Sequence, residues 1–116
     1  MGDTDDTCLF CKIVAGEIGS ERVAESSLAY AFRDLNPQAP VHVLVVPKRH
    51  EPDIGSLAAA DPESAIAVLE LAKKVAETEN DGSYRMVFNT GRDALQTVFH
   101  AHAHVIGGRL MTWPPG

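Results

Sequence analysis

Hydrophobic and polar positions along this chain repeat with two periods, and the places where one gives way to the other mark the elements. Over residues 98–106 apolar residues alternate with histidines. Successive side chains of a strand face opposite ways. The alternation therefore predicts a strand with His100, His102 and His104 on one face and Phe99, Ala101, Ala103 and Val105 turned to a core. Residues 41–47 are a nearly continuous β-branched run and predict a central strand. Shorter strands are predicted over residues 22–25, 28–34 and 84–89, with Asn36-Pro37 breaking the second. Asp61-Pro62-Glu63 starts a long helix, with Asp61 as cap and Pro62 in the first position. Ala65, Val68, Leu69, Ala72, Val75 and Ala76 form its apolar stripe, and Asn80-Asp81-Gly82 ends it. Residues 10–16 predict a short helix closed by Gly16. Residues 90–96 predict a loop, and residues 1–7 a disordered tail. About five strands joined by short connections, with one long and one short helix to one side, predict an α+β fold with an antiparallel sheet. A single domain spans 8–116.

Composition narrows the function classes. A chain of 116 residues supports one modest core. Ten basic against sixteen acidic residues give a net charge of −6, and no long basic run exists. That excludes a nucleic-acid partner, which needs clustered cations for its phosphates. A single nucleotide needs only a few local donors and stays allowed. The first residues lack the basic and apolar regions of a signal peptide. Asp6 stands where a myristoylation signal would need Ser or Thr. No apolar run approaches the ~20 residues of a membrane span. A cytoplasmic location without membrane association is the expectation.

The chemistry concentrates in the histidines. Along a strand, i and i+4 lie ~13 Å apart, so His100 and His104 serve different sites, with His102 between them. Cys8 and Cys11 form a C-x-x-C pair, which reads either as half of a zinc site or as a redox dithiol. Zinc needs about four ligands, and with no further Cys the others would be His. His50, at the end of a strand, is placed to serve. His42, inside the β-branched run, is either a core histidine satisfied by a backbone carbonyl or part of an active site. Lys48 and Arg49 read as a solvated loop. A neutral imidazole can attack phosphorus when one ring nitrogen is free and the other N–H is held by an acceptor. A neighbouring imidazole can steady the phosphoryl oxygens. His102 suits the first role and His104 the second. Asn89 and Thr97 are polar groups at the flanking strand end and loop. Trp113, in the tail, packs either on its own domain or on a partner.

Several stretches resemble one family. His100-Ala101-His102-Ala103-His104-Val105-Ile106 is similar to the motif of the histidine triad (HIT) superfamily. Cys8-Leu9-Phe10-Cys11-Lys12-Ile13, Phe32-Arg33-Asp34-Leu35-Asn36-Pro37, Val46-Pro47-Lys48-Arg49-His50, Tyr84-Arg85-Met86-Val87 and Trp113-Pro114-Pro115-Gly116 resemble its nucleotide-binding Hint branch. The resemblance implies a HIT-like fold and a hydrolase acting at the α-phosphate of purine nucleotides of the AMP or GMP type. Nucleoside phosphoramidates are the implied substrates, and dinucleoside polyphosphates or a purely nucleotide-binding module the alternatives. It implies His102 as nucleophile, His104 on the phosphate, and His42 behind it. Asp34 matches the ribose ligand, and Phe10, Ile13, Phe32 and Leu35 the walls around the base. Asn89 and Thr97 match residues beside phosphate and leaving group. It further implies a homodimer in which Trp113 reaches the partner's site, and a structural zinc on Cys8, Cys11, His50 and His100. One departure stands out. Leu95 occupies a place where the family usually has Gly before the Gln-Ser/Thr pair. If that Gly served a left-handed backbone, Leu95 is costly there or the loop takes another path.

Overall fold

The structure is a computed structural model that describes Asp5 and residues 7–116. Most of the tail expected to be disordered lies outside these residues. The elements run α1 (Leu9–Val14), β1 (Arg22–Glu25), β2 (Ala29–Arg33), β3 (Val41–Pro47), α2 (Ile54–Ala60), α3 (Pro62–Asn80), β4 (Tyr84–Val87) and β5 (Ala103–Gly107). The strands form one antiparallel five-stranded sheet in the order β1-β2-β3-β5-β4, so the fold is α+β as expected.

Every residue of β3 is buried, because helices cover both faces of the sheet rather than one. Val43 and Val45 point to the face covered by α2 and α3, where they join Ala29, Ala31, Leu57, Val68, Ala72, Val75, Ala103 and Val105. Leu44 and Val46 point the other way and pack with Phe10, Cys11 and Ile13 of α1 and with Phe32. His104 pairs across from Leu44 and His42 across from Ile106, which puts the histidines on the α1 face. The α3 stripe is as expected at Ala65, Val68, Ala72, Val75 and Ala76, but Leu71 is buried at 4% exposure in place of Leu69, which is 44% exposed. Asp61 caps α3 by accepting from the Ser64 N–H, and Asp81 closes it with φ 53°. Helix α2 is absent from the elements the periodicity predicts. Its few apolar positions carry no clear period, and Asp53 starts it by accepting from the Ser56 N–H at 2.8 Å. Helix α1 starts one residue earlier than expected, with Cys8 as its cap, and ends at Val14.

The histidine strand is shorter than its alternation suggests. Only Ala103–Gly107 joins the ladder. Across from the missing part stands Pro47, which has no N–H to give. Its carbonyl is taken by the His100 side chain at 2.9 Å. The Ala101 N–H goes instead to the Glu51 carbonyl at 2.8 Å. Residues 98–102 are therefore held by side-chain and loop bonds, and Phe99 is 56% exposed rather than in the core. At the other end, a Cβ on Gly107 would lie 2.5 Å from Asn80 Nδ2 and 3.0 Å from the Ser83 carbonyl, so a larger residue there would have to displace the Asn80 side chain where β5 passes the end of α3.

Candidate active site and metal cluster

Burial decides the protonation of the three histidines on residues 100–104. His100 is fully buried and His102 is 8% exposed. Burial pushes His100 down to about 4 and lowers His102 below the ordinary imidazole value. It also pushes His104 down to about 4, with the imidazoles of His102 and His42 adding to the effect and Asp34 opposing it. His42 is lowered by burial, again against Asp34. All four imidazoles are neutral at pH 7, so each carries one N–H and one lone pair.

Backbone groups then fix which nitrogen holds the proton. His100 Nε2–H donates to the Pro47 carbonyl at 2.9 Å, leaving its Nδ1 lone pair free. His102 Nδ1–H donates to the His100 carbonyl at 2.7 Å, leaving its Nε2 lone pair free. The Gln38 N–H donates to His42 Nδ1 at 3.0 Å, so His42 carries its proton on Nε2. That nitrogen lies 2.9 Å from His104 Nδ1 and 3.3 Å from Asp34 Oδ2. His104 Nδ1 is then an acceptor, and its own proton sits on Nε2. His42 thus serves neither of its expected roles alone: it is buried, and it orients His104.

His102 and His104 both line a cavity of about 250 Å³. Phe10, Ile13, Phe32, Asp34, Leu35, Leu44, Thr97, His102 and His104 are among its lining residues. The Phe10 ring stands edge-on to His102, with centroids 5.0 Å apart. Thr97 is at the cavity, as expected. Leu35 reaches it while 99% exposed. Asn89 does not line it and follows β4, whose Val87 pairs with His104. Trp113 is 80% exposed on this chain and also lies outside the cavity lining.

Leu95 answers the question raised by the missing glycine. Its φ is +66°, so the loop keeps the left-handed turn with a bulky residue in it. Leu95 N–H donates to the Arg92 carbonyl at 2.9 Å and Gln96 N–H to the Gly91 carbonyl at 3.0 Å. The Gln96 side chain, 6% exposed, ties the loop together. It accepts from the Gly91 N–H at 2.9 Å and donates to the carbonyls of Pro52 and Val98. Sequence reasoning left Gln96 as a loop residue. A lone Gln next to Thr97 carries no signal that it is buried. Leu44, a further wall, was legible in principle from its parity with His42 on β3.

A second cluster lies at the other end of the histidine row. Cys8, Cys11, His50 and His100 converge, with their donor atoms all within 4.8 Å of one another. His100 Nδ1 is 3.3 Å from Cys8 Sγ, 3.4 Å from Cys11 Sγ and 3.2 Å from His50 Nδ1, and Cys11 Sγ is 3.4 Å from His50 Nδ1. Tetrahedral zinc, with bonds of ~2.0–2.1 Å to N and ~2.3 Å to S, requires N···N near ~3.3 Å and N···S near ~3.6 Å. The cluster meets these separations within a few tenths of an ångström. The His100 tautomer also fits, since its free lone pair is the one facing the cluster and its N–H is held by a carbonyl. Burial pushes the Cys11 thiol up to about 11. A bound cation would have to displace that proton. These four residues fit zinc, which when bound would cross-link α1, the end of β3 and the histidine segment.

Comparison with known proteins gives the family and the fold. A family model described as the HIT domain matches residues 15–111. An uncharacterized HIT-like protein of Synechocystis is 45% identical over 116 residues, spanning 97% of this chain and 98% of that protein. A 14 kDa zinc-binding protein of Zea mays is 43% identical over 115 residues, spanning 97% and 90%. The crystal structure of a HIT family hydrolase from Legionella pneumophila superposes with a TM-score of 0.89 at 46% identity, covering 95% of this chain and all of that one. A HIT family hydrolase from Clostridium thermocellum gives 0.88 at 39% identity, covering 94% and 96%. Among the described residues no helix is long and apolar enough to cross a membrane.

Proposed function

The chain belongs to the HIT domain family, and on that premise we propose that it hydrolyses purine nucleoside phosphoramidates, or closely related nucleotidyl compounds, at the α-phosphate. The observation that carries this reading is the His102 tautomer. Its Nδ1–H is bound to the His100 carbonyl at 2.7 Å, which leaves Nε2 as a free nucleophile at the cavity. His102 Nε2 attacks the α-phosphorus, and the P–N bond to the leaving amine breaks. The amine departs with a proton taken from solvent, later returned by the attacking water, leaving a nucleotidyl group on His102. Water then attacks the same phosphorus, the bond to His102 breaks, and a nucleoside monophosphate leaves. His104 Nε2–H donates to a phosphoryl oxygen where charge develops. Asp34 accepts from the ribose hydroxyls, and Phe10, Ile13, Phe32 and Leu35 enclose the base. Thr97 and Asn89 lie beside the phosphate and leaving group in this reading. Zinc on Cys8, Cys11, His50 and His100 is structural in this reading, since none of the reacting atoms is among its ligands.

The experiment is steady-state turnover of adenosine 5′-phosphoramidate by the purified protein beside its His102→Ala variant. Turnover lost in the variant is the expected result, and equal turnover in both refutes the reading. Faster turnover of a dinucleoside polyphosphate than of the phosphoramidate would move the assignment to that substrate class. The chain is further proposed to act as a homodimer, with Trp113 reaching the partner's cavity. Its exposed Trp113 and Leu110 and the unpaired outer edge of β4 support this. A monomer by sedimentation at micromolar concentration would contradict it.

A further inference from the structure

We propose that His100 is a positioning residue for the nucleophile, through the peptide unit that follows it, and that metal occupancy of the neighbouring cluster therefore sets the rate of the chemical step. This rests on the reading of His102 as nucleophile. The His100 carbonyl and the Ala101 N–H belong to one peptide group, which moves as a rigid plate. Its carbonyl accepts from His102 Nδ1–H at 2.7 Å, and its N–H donates to the Glu51 carbonyl at 2.8 Å. No strand pairing holds it, because the ladder begins only at Ala103.

Both anchors of this plate adjoin the metal cluster. The first is the side chain of His100 itself, with Nε2–H on the Pro47 carbonyl and Nδ1 in the cluster. The second is the Glu51 carbonyl, one residue after His50, another cluster member. A third link runs through α1. Phe10, next to Cys11, stands edge-on to His102 at 5.0 Å and to His100 at 6.0 Å. With a cation joining Cys8, Cys11, His50 and His100, all three supports of the His102 ring are fixed to one point. Without it, these side chains are held at 3.2–3.4 Å only by weak thiol–imidazole contacts. His50 and His100 are then free to separate, which turns the plate. The His102 proton then loses its acceptor, and the ring is free to take the other tautomer or another orientation.

The test reads the tautomer and the rate separately. His102 Nδ1–H should give a slowly exchanging imidazole signal by ¹H–¹⁵N NMR in zinc-loaded protein. In chelator-treated protein and in Cys11→Ser, at a temperature where circular dichroism shows both folded, that signal should broaden or vanish. The kcat on adenosine 5′-phosphoramidate should fall by ~10-fold or more, the scale on which groups supporting a metal ligand act. KM should change less than kcat, since of the nucleoside walls Phe32, Leu35 and Leu44 lie outside α1 and only Phe10 and Ile13 share the helix of Cys11. A cluster that only stabilises the fold would lower the melting temperature and leave both the signal and kcat unchanged, which overturns the proposal. If the loaded protein shows no turnover at all, the phosphoramidase reading fails, and the NMR signal alone decides this one. If the zinc-free protein does not fold, zinc is exchanged for cadmium, whose longer bonds displace His50 and His100. The His102 signal should then shift while the Trp113 indole signal does not; no shift at His102 overturns the proposal.

Discussion

Leu95 offers a sharp test of the backbone geometry. Its φ of +66° puts a bulky side chain in the left-handed region, which costs roughly 1–2 kcal/mol relative to glycine. Little packing offsets that cost, since Leu95 is 77% exposed and forgoes only about 0.5 kcal/mol of burial on truncation. Glycine gives up ~0.4–1 kcal/mol relative to alanine through the entropy of the unfolded chain. Leu95→Ala keeps the strain and loses the burial, so it should be destabilised by about 0.5 kcal/mol. Leu95→Gly also loses the burial but sheds the strain, and should be more stable than Leu95→Ala by ~0.5–1 kcal/mol after its entropy is counted. At an ordinary exposed position the order is the reverse. Urea midpoints of the two variants, at one fixed zinc concentration, measure the difference, because both should share the same m-value. If Leu95→Ala is as stable as Leu95→Gly, the residue is not in the left-handed region, and the path assigned to residues 91–97 is wrong.

Two further outcomes follow from the histidines. His104 sits at about 4 in the folded protein against the ordinary 6.5 unfolded, so the unfolded chain binds more protons between these values. Its contribution is complete above pH 6.5 and is lost as pH falls toward 4, by up to ~3 kcal/mol; His104→Gln should show a shallower loss of urea stability over that window, and an identical pH dependence would contradict the burial argument. Zinc should raise the melting temperature with concentration, by ~2.7 kcal/mol at one hundred times its dissociation constant, or roughly 10 °C for a chain of this size. His50→Ala should abolish that dependence in calorimetry, and an unchanged rise would place the metal elsewhere.

Much of the fold was legible because its elements follow simple periods. Residues 41–47 form β3 with the expected boundaries, and Asp61-Pro62 starts α3 as its capping chemistry requires. The spacing argument that separates His100 from His104 anticipated two clusters on one segment, and the structure has them. What escaped had no local signal. The early end of β5 depends on Pro47, more than fifty residues away, whose missing N–H cannot be read from the alternation of residues 98–106. Phe99 follows the same alternation as Ala101 and is nevertheless exposed, because the ladder has already ended there. Gln96 acts through side-chain bonds to backbone groups and Gln38 through its own backbone N–H on His42, and neither residue type announces this. Leu69 and Leu71 lie about 200° apart around α3, and only Leu71 is on the buried face.

The tautomers explain why three histidines can stand two apart without interfering. Charged imidazoles at these separations would repel, and ring centroids of His102 and His104 are only 5.1 Å apart. Burial removes the charge and leaves each ring with one donor and one acceptor to place. Each ring then places them against a different backbone group: Pro47 for His100, His100 for His102, and Gln38 through His42 for His104. Backbone partners have no rotamers, so the donors and lone pairs are aimed before any ligand arrives and need not reorganise when charge develops at phosphorus. The same device sends the His100 lone pair one way and the His102 lone pair the other. A metal cluster and a nucleophile can therefore share one peptide unit without sharing a nitrogen. On this argument the alanines at 101 and 103 matter as much as the histidines. They are 2% and 0% exposed beneath the sheet, and a larger side chain at 101 would tilt the plate that places His102.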